Sequence, residues 1–166
     1  MGFMAELVEP LVREGLVARE EVLGCSEEEV AVLMEAQGVT RIPDAYREFL
    51  RYGGRYPYWL THTGEWHYDW LLDIKDTARE IVADEGQGEW RDFTPYERAY
   101  VFQTHQGYEF FCFRPEDLAA PDPHFLVYNG RDGTHDSGTT FTGWLRDLAA
   151  HLPQAVALRR KVGLPG

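Results

Sequence analysis

Six histidines, two cysteines and 28 carboxylates are the groups in this 166-residue chain that could do chemistry. His67 and Asp69 stand two apart in an alternating run, so on a strand they would share a face and offer two metal ligands. His62 and His67 are five apart and would point to opposite faces of an extended chain. His135 and Asp136 would join His67 and Asp69 only if the fold carried a turn-rich segment to them, and that set would suit a metal-dependent hydrolase. No further ligand stands nearby in sequence, so the histidines are expected to be hydrogen-bonded or exposed, with no metal and no other cofactor. Ser137 follows His135 and Asp136, but a nucleophilic triad is assembled from separate segments, not from neighbours. Cys112 lies in an apolar run, where a thiol behaves as a small hydrophobe. With Cys25 it makes neither a disulfide framework nor a zinc motif, which predicts two free thiols in a reducing cytoplasm. There is no phosphate-binding glycine loop and no dinucleotide fingerprint. The expectation is a protein without catalytic residues.

Charge points to association instead. The net charge is −12, distributed as −7 over residues 1–38, −8 over 39–138 and +3 over 139–166. A field of that sign repels phosphate and disfavours direct nucleic-acid binding. It attracts a basic protein and speeds its capture. Glu85, Glu89, Trp90, Asp132 and Asp136 are the candidate partner contacts, because they fall in loops of like charge and loops at sheet ends commonly bind. Trp90, between Glu89 and Arg91 in a glycine-bearing loop, is the tryptophan expected to be exposed and able to anchor an interface.

The elements that must hold these groups follow from pattern. Apolar residues at 44% and aromatics at 14% predict a packed core. No window approaches the roughly 18 apolar residues needed to span a bilayer. The first residues lack a basic region and a cleavage site, so no secretory leader is expected and the location read is cytoplasmic. Leu7, Leu11, Leu16 and Val17 give residues 3–22 an apolar helix face, which Pro10 and Gly15 should kink or divide. Ser26 and Glu29 have the spacing of a capping box. Val30, Leu33 and Met34 continue that helix, and Gly38 ends it. Pro43 restarts the chain, Tyr46, Phe49 and Leu50 form a second helical face, and Gly53-Gly54 closes it.

Period-two alternation from Glu65 to Leu72 predicts a strand with Trp66, Tyr68, Trp70 and Leu72 on one side. Asp73 to Glu85 reads as a helix. Ala99 to Arg114 reads as a hairpin of central strands turning at Gln106-Gly107. Residues 124–129 make a further strand, and 131–138 a turn-rich connection. Thr139 or Thr140 should cap a helix that Pro153 breaks, with Arg159, Arg160 and Lys161 ending a last helix. The order lacks a βαβ alternation. It predicts an α+β fold, a mixed and largely antiparallel sheet flanked by N-terminal and C-terminal helices.

Gly38, Pro43, Tyr46, Phe49, Leu50 and Gly53-Gly54 follow an acidic amphipathic helix in an order that resembles the opening of the SUKH superfamily. That group includes the Smi/Knr-type cell-wall regulators of yeast and many bacterial immunity proteins. Gly107 with Phe110, and the run Thr140 to Leu145, resemble its later landmarks; the loop around Trp90 has no counterpart in the pattern. The resemblance runs from about Gly24 to Leu152. It implies a SUKH-like α+β domain over 23–152, with an N-terminal helical extension (1–22) and a C-terminal helical tail (153–166). It further implies a non-enzymatic protein-binding module. Such a module is expected to be an immunity protein that neutralises a basic, nucleic-acid-cleaving toxin domain by direct binding, or else a regulatory scaffold linked to cell-wall assembly.

Overall fold

The computed structural model describes residues 2–164. Met1, Pro165 and Gly166, the outermost residues of the two expected terminal segments, lie outside it. Among the described residues, six α-helices and a four-stranded sheet form an α+β fold with helices at both ends.

Helix α1 (Phe3–Arg13) buries Met4, Val8 and Leu11, spaced by four and three, against α3 and α6. The helix passes through Pro10 and stops after Arg13. A short 3-10 turn at Arg19–Glu21 follows, so the N-terminal stretch is in two pieces divided near Gly15. Helix α2 (Glu27–Ala36) starts with both bonds of the expected capping box. Glu29 N–H donates to Ser26 Oγ at 3.1 Å, and Ser26 N–H donates to Glu29 Oε2 at 2.9 Å. Helix α3 (Asp44–Gly53) follows Pro43 and buries Tyr46, Phe49 and Leu50.

The sheet is an antiparallel meander in the order β1 (Tyr100–His105), β2 (Glu109–Phe113), β3 (His124–Asn129) and β4 (Gly133–Thr140). Gln106 and Gly107 turn the first hairpin, with φ of 49° and 76°. One face carries Tyr100, Phe102, Phe111, Phe113 and Phe125. It packs on Tyr46 of α3 and on Phe141 and Trp144 of α6 (Phe141–Lys161), mostly edge-to-face at 5–6 Å between ring centres. The other face carries Val101, Phe110, Cys112 and Tyr128, beneath α5 (Ile74–Glu85) and the ring of Tyr96. Both faces of the first hairpin are therefore apolar and covered, as its composition predicted.

Four local readings are corrected. Residues 66–72 are not a strand: Glu65 makes one bridge to Thr104 on β1, and Tyr68–Leu71 then forms a one-turn helix, α4. Alternation over seven residues does not fix a face here. Trp66 is 1% exposed, Trp70 is 37% exposed, and the out-of-pattern Leu71 is fully buried as the chain turns into α5. Residues 133–140 form the edge strand β4; its polar residues sit at the rim, where neither face needs an apolar stripe. Strand β1 is an edge and not a central strand. Pro153 does not break the last helix: Leu152 and Val156, each 2% exposed, share a buried face across it and hold α6 continuous, so the boundary expected after residue 152 falls inside this helix. Its start is as expected, with Thr140 Oγ1 accepting from Gly143 N–H at 3.1 Å.

Among the described residues, no helix is long and apolar enough to cross a membrane.

Candidate functional site

The turns β1–β2 and β3–β4 lie at the same end of the sheet, because antiparallel pairing sets His105 opposite Glu109, Glu109 opposite Asn129, and Asn129 opposite Gly133. Helix α5 delivers its C-terminus to this end. The carbonyl of Glu85 lies so close to Gly130 that a Cβ there would stand 2.2 Å from it. The second turn is held by Asn129, whose Oδ1 accepts the N–H groups of Arg131 at 3.1 Å and Asp132 at 2.7 Å.

A cleft of about 400 Å³ results, lined by Glu85, Tyr108, Glu109, Asn129, Arg131 and Asp132. Three carboxylates face one guanidinium there. The C-terminus of α5 adds its own partial negative charge, and its last turn contains no basic residue to offset it. Tyr108, 41% exposed, supplies an aromatic rim that meets the His105 ring edge-to-face at 5.6 Å. The arrangement can draw in a cationic surface.

The five sequence candidates separate in space. Glu85 and Asp132 meet in this cleft. Glu89 is exposed on a 3-10 turn (Gly88–Arg91) beside it. Trp90 is half-buried and not the exposed anchor expected. Its ring lies where a Cβ on Gly133 would be, 2.3 Å away, and Gly133 with φ of +75° leaves room for it. The Trp90 carbonyl also accepts from Tyr128 Oη at 2.9 Å, so the loop is folded over the sheet. Asp136 lies three residues beyond Gly133 along β4, roughly 10 Å from the turn. Its charge is matched locally: Gly138 N–H donates to Oδ1 at 2.7 Å, His124 Nδ1 lies 2.9 Å away, and Arg114 is at 3.3 Å. Those partners, the Gly138 N–H first, hold the carboxyl below its ordinary range. Sequence reasoning missed Tyr108 and Glu109, although both flank the Gln106-Gly107 turn that it located.

The hydrolase constellation does not assemble. His67 bonds Tyr58 Oη through Nδ1 at 2.8 Å, on the β1 side of the sheet, with Asp69 exposed beside it in α4. His135 sits on β4, the opposite edge, three strand spacings or roughly 14 Å away. Among the described residues, no group of three His, Cys, Asp or Glu side chains is placed to hold a metal ion. Ser137 Oγ donates to the Thr139 carbonyl at 2.9 Å. Burial pushes the Cys112 thiol up to about 12 and the Cys25 thiol up to about 11, so neither is poised as a nucleophile.

Residues 24–147 match the model of the SMI1 / KNR4 family (SUKH-1). The matched span opens at Gly24, just before the capping box of α2, and closes within α6, leaving α1 outside. Neither the curated proteins nor the solved structures contain a significant match to the chain.

Proposed function

Since this chain belongs to the SMI1 / KNR4 family (SUKH-1), we propose that it is a non-enzymatic protein-binding module that neutralises a basic toxin domain by direct association. The partner read here is a protein, neither nucleic acid nor a membrane, and the module works in the cytoplasm. The observation that carries this reading is the acidic end of the sheet: Glu85, Glu109 and Asp132 around one cleft, at the negative end of α5, in a chain of net charge −12. Such a surface steers a cationic partner into encounter, and the half-buried and aromatic groups beside it supply the contact that outlasts encounter. Neutralisation is by occlusion: the docked module covers the cationic surface with which a nuclease holds its substrate phosphates.

The test is direct. The purified protein is mixed with the product of the gene adjacent to its own, and association and residual toxin activity are followed at about 50 and 300 mM salt. Tight association that weakens with salt, together with loss of toxin activity, supports the reading. Failure to associate removes it. Co-purification with cell-wall biosynthetic enzymes instead would assign the module to regulation of wall assembly.

A further inference from the structure

Helix α6 continues past the body of the protein. Val156 is its last buried residue, yet the helix runs on to Lys161 and closes in an ordered cap. Gly163, with φ of +75°, donates its N–H to the Arg160 carbonyl at 3.2 Å, and Leu164 N–H donates to the Arg159 carbonyl at 2.9 Å. Ala155, Leu158 and Val162 are spaced by three and four, so they form one stripe, and all three are exposed. Leu158, Val162 and Leu164 are the most exposed large apolar side chains among the described residues, at 62%, 60% and 57%. Lys161, three residues after Leu158, borders the stripe. Helical turns are ordinarily held by the packing of such a face, and within one chain this face is bare.

Directly beside it is a groove of about 660 Å³. Its apolar part comes from Leu16, Leu23, Tyr56, Tyr58 and Trp59, with Leu23 and Tyr56 each more than half exposed. Glu21 and Glu65 are its carboxylates. Arg159, His62 and Gly64 complete it, the guanidinium donating to the imidazole Nε2. Burial, and then the guanidinium, hold His62 below its ordinary range, so the ring is neutral at pH 7 and two carboxylates stand against one guanidinium. Leu158 and Val162 do not line the groove, although Arg159 between them does, so a protomer does not fill its groove with its own stripe. Leu16, Glu21, Leu23 and the whole stripe fall outside residues 24–147. The two terminal segments thus add this surface to the family domain.

We propose that a second copy of this chain covers this surface, in a twofold dimer in which each protomer lays its α6 end in the other's groove. The inference is separate from the toxin-binding reading, because the groove and the acidic cleft share no residue. The chemistry of the two parts matches. Leu158 and Val162 meet a leucine and aromatic lining, while Arg160 and Lys161 bring charge opposite to that of Glu21 and Glu65. Copies of a chain of net charge −12 repel one another, but residues 139–166 carry +3, so this end is where another copy's carboxylates are attracted. Stripe and groove also lie side by side, with Arg159 common to both. One twofold axis then makes both contacts at once and closes the assembly at two copies. An anionic lipid surface fits less well, since Glu21 and Glu65 would face the same phosphates as the basic helix end.

Sedimentation velocity of the purified protein from about 5 to 300 μM reads this directly, because dimerisation follows mass action. The expected result is a shift from the 19.1 kDa of one chain toward twice that mass. Leu158→Gln with Val162→Gln on the stripe, and Tyr56→Ser in the groove, should each weaken association at least tenfold. All three positions are exposed, so the far-UV spectrum of each variant should match wild type. Mixing the two variants should restore part of the association, each supplying the contact that the other lacks. Val32→Gln, an exposed change elsewhere, should leave it intact. A monomer throughout the range overturns the proposal, and so does a dimer that the stripe and groove variants leave unchanged. Growth beyond two copies would contradict twofold closure. If the protein stays monomeric while its α6 end binds phosphatidylglycerol vesicles, the stripe belongs to a lipid surface and the proposal falls. Each of these results leaves capture of a toxin at the acidic cleft to its own test.

Discussion

Gln37 closes the open edge of the sheet with a side chain, and replacing it is a stringent trial of the fold. Its Nε2 donates to the Val101 carbonyl at 2.6 Å, and its Oε1 accepts from Val101 N–H at 2.7 Å. The amide thus occupies the place of a missing fifth strand, at the irregularity between Val101 and Gln103. Gln37 is 2% exposed and Val101 fully buried, so water is absent from the exchange. Gln37→Met keeps length and flexibility while removing both bonds. Two buried backbone groups then lose their partners at about 1–3 kcal/mol each, a destabilisation of about 2–6 kcal/mol. For a chain of this size that lowers Tm by about 5–20 °C. Urea denaturation with the slope checked for constancy measures it, and the exposed Gln87→Met serves as control. Gln37→Glu adds a signature in pH. Burial and the facing carbonyl raise the new carboxyl above its unfolded value of about 4.3, so this variant loses stability as pH rises through that region. A Gln37→Met variant within about 0.5 kcal/mol of wild type would refute the reasoning.

Other consequences are as concrete. Asp136, whose folded pKa is depressed below 3.8, contributes stability that is present above that pH and lost as pH falls through the lowered value. Wild type and Asp136→Asn should therefore differ in urea midpoint at pH 7, by a gap that narrows as pH falls below 3.8 and through the lowered value; a gap that does not narrow would contradict the contacts with Gly138, His124 and Arg114. Cys25 and Cys112, both buried with raised pKa, should resist a thiol reagent at pH 8 in native protein and react together in denaturant. Rapid native labelling of Cys112 would mean that the sheet opens there. Gly133→Ala forces a side chain at φ of +75° into the Trp90 ring; a loss of about 1–3 kcal/mol or more, with a shift in tryptophan emission, is expected. An unchanged spectrum and midpoint would place Trp90 elsewhere.

What could be read in the sequence was what local bonding dictates. The Ser26–Glu29 box, the Gln106-Gly107 turn and the Thr140 cap each need only residues a few positions apart, and all three form. The SUKH resemblance over Gly24 to Leu152 rests on such punctuation too, and the family match spans most of it. Tertiary context decided the rest. Trp66 to Leu72 alternates like a strand, yet Leu71 is drawn into the core and the chain coils. The composition of 133–140 reads as turns, but pairing with β3 makes it a strand. Pro153 reads as a stop, but the buried pair around it outweighs it. In the site, Glu85 and Asp132 were visible as loop acids. Glu109 was not, because its place depends on the register of β2 against β1 and β3.

The central claim is that the acidic end of the sheet captures a basic protein. Association rates with the adjacent gene's product, measured by stopped flow at about 50 mM salt, should separate two variants. Neutralising Glu85, Glu109 and Asp132 together should slow capture about tenfold or more, whereas neutralising Glu6, Glu14 and Glu20 near the N-terminus should change it less than twofold. Equal rates for the two variants would contradict the account.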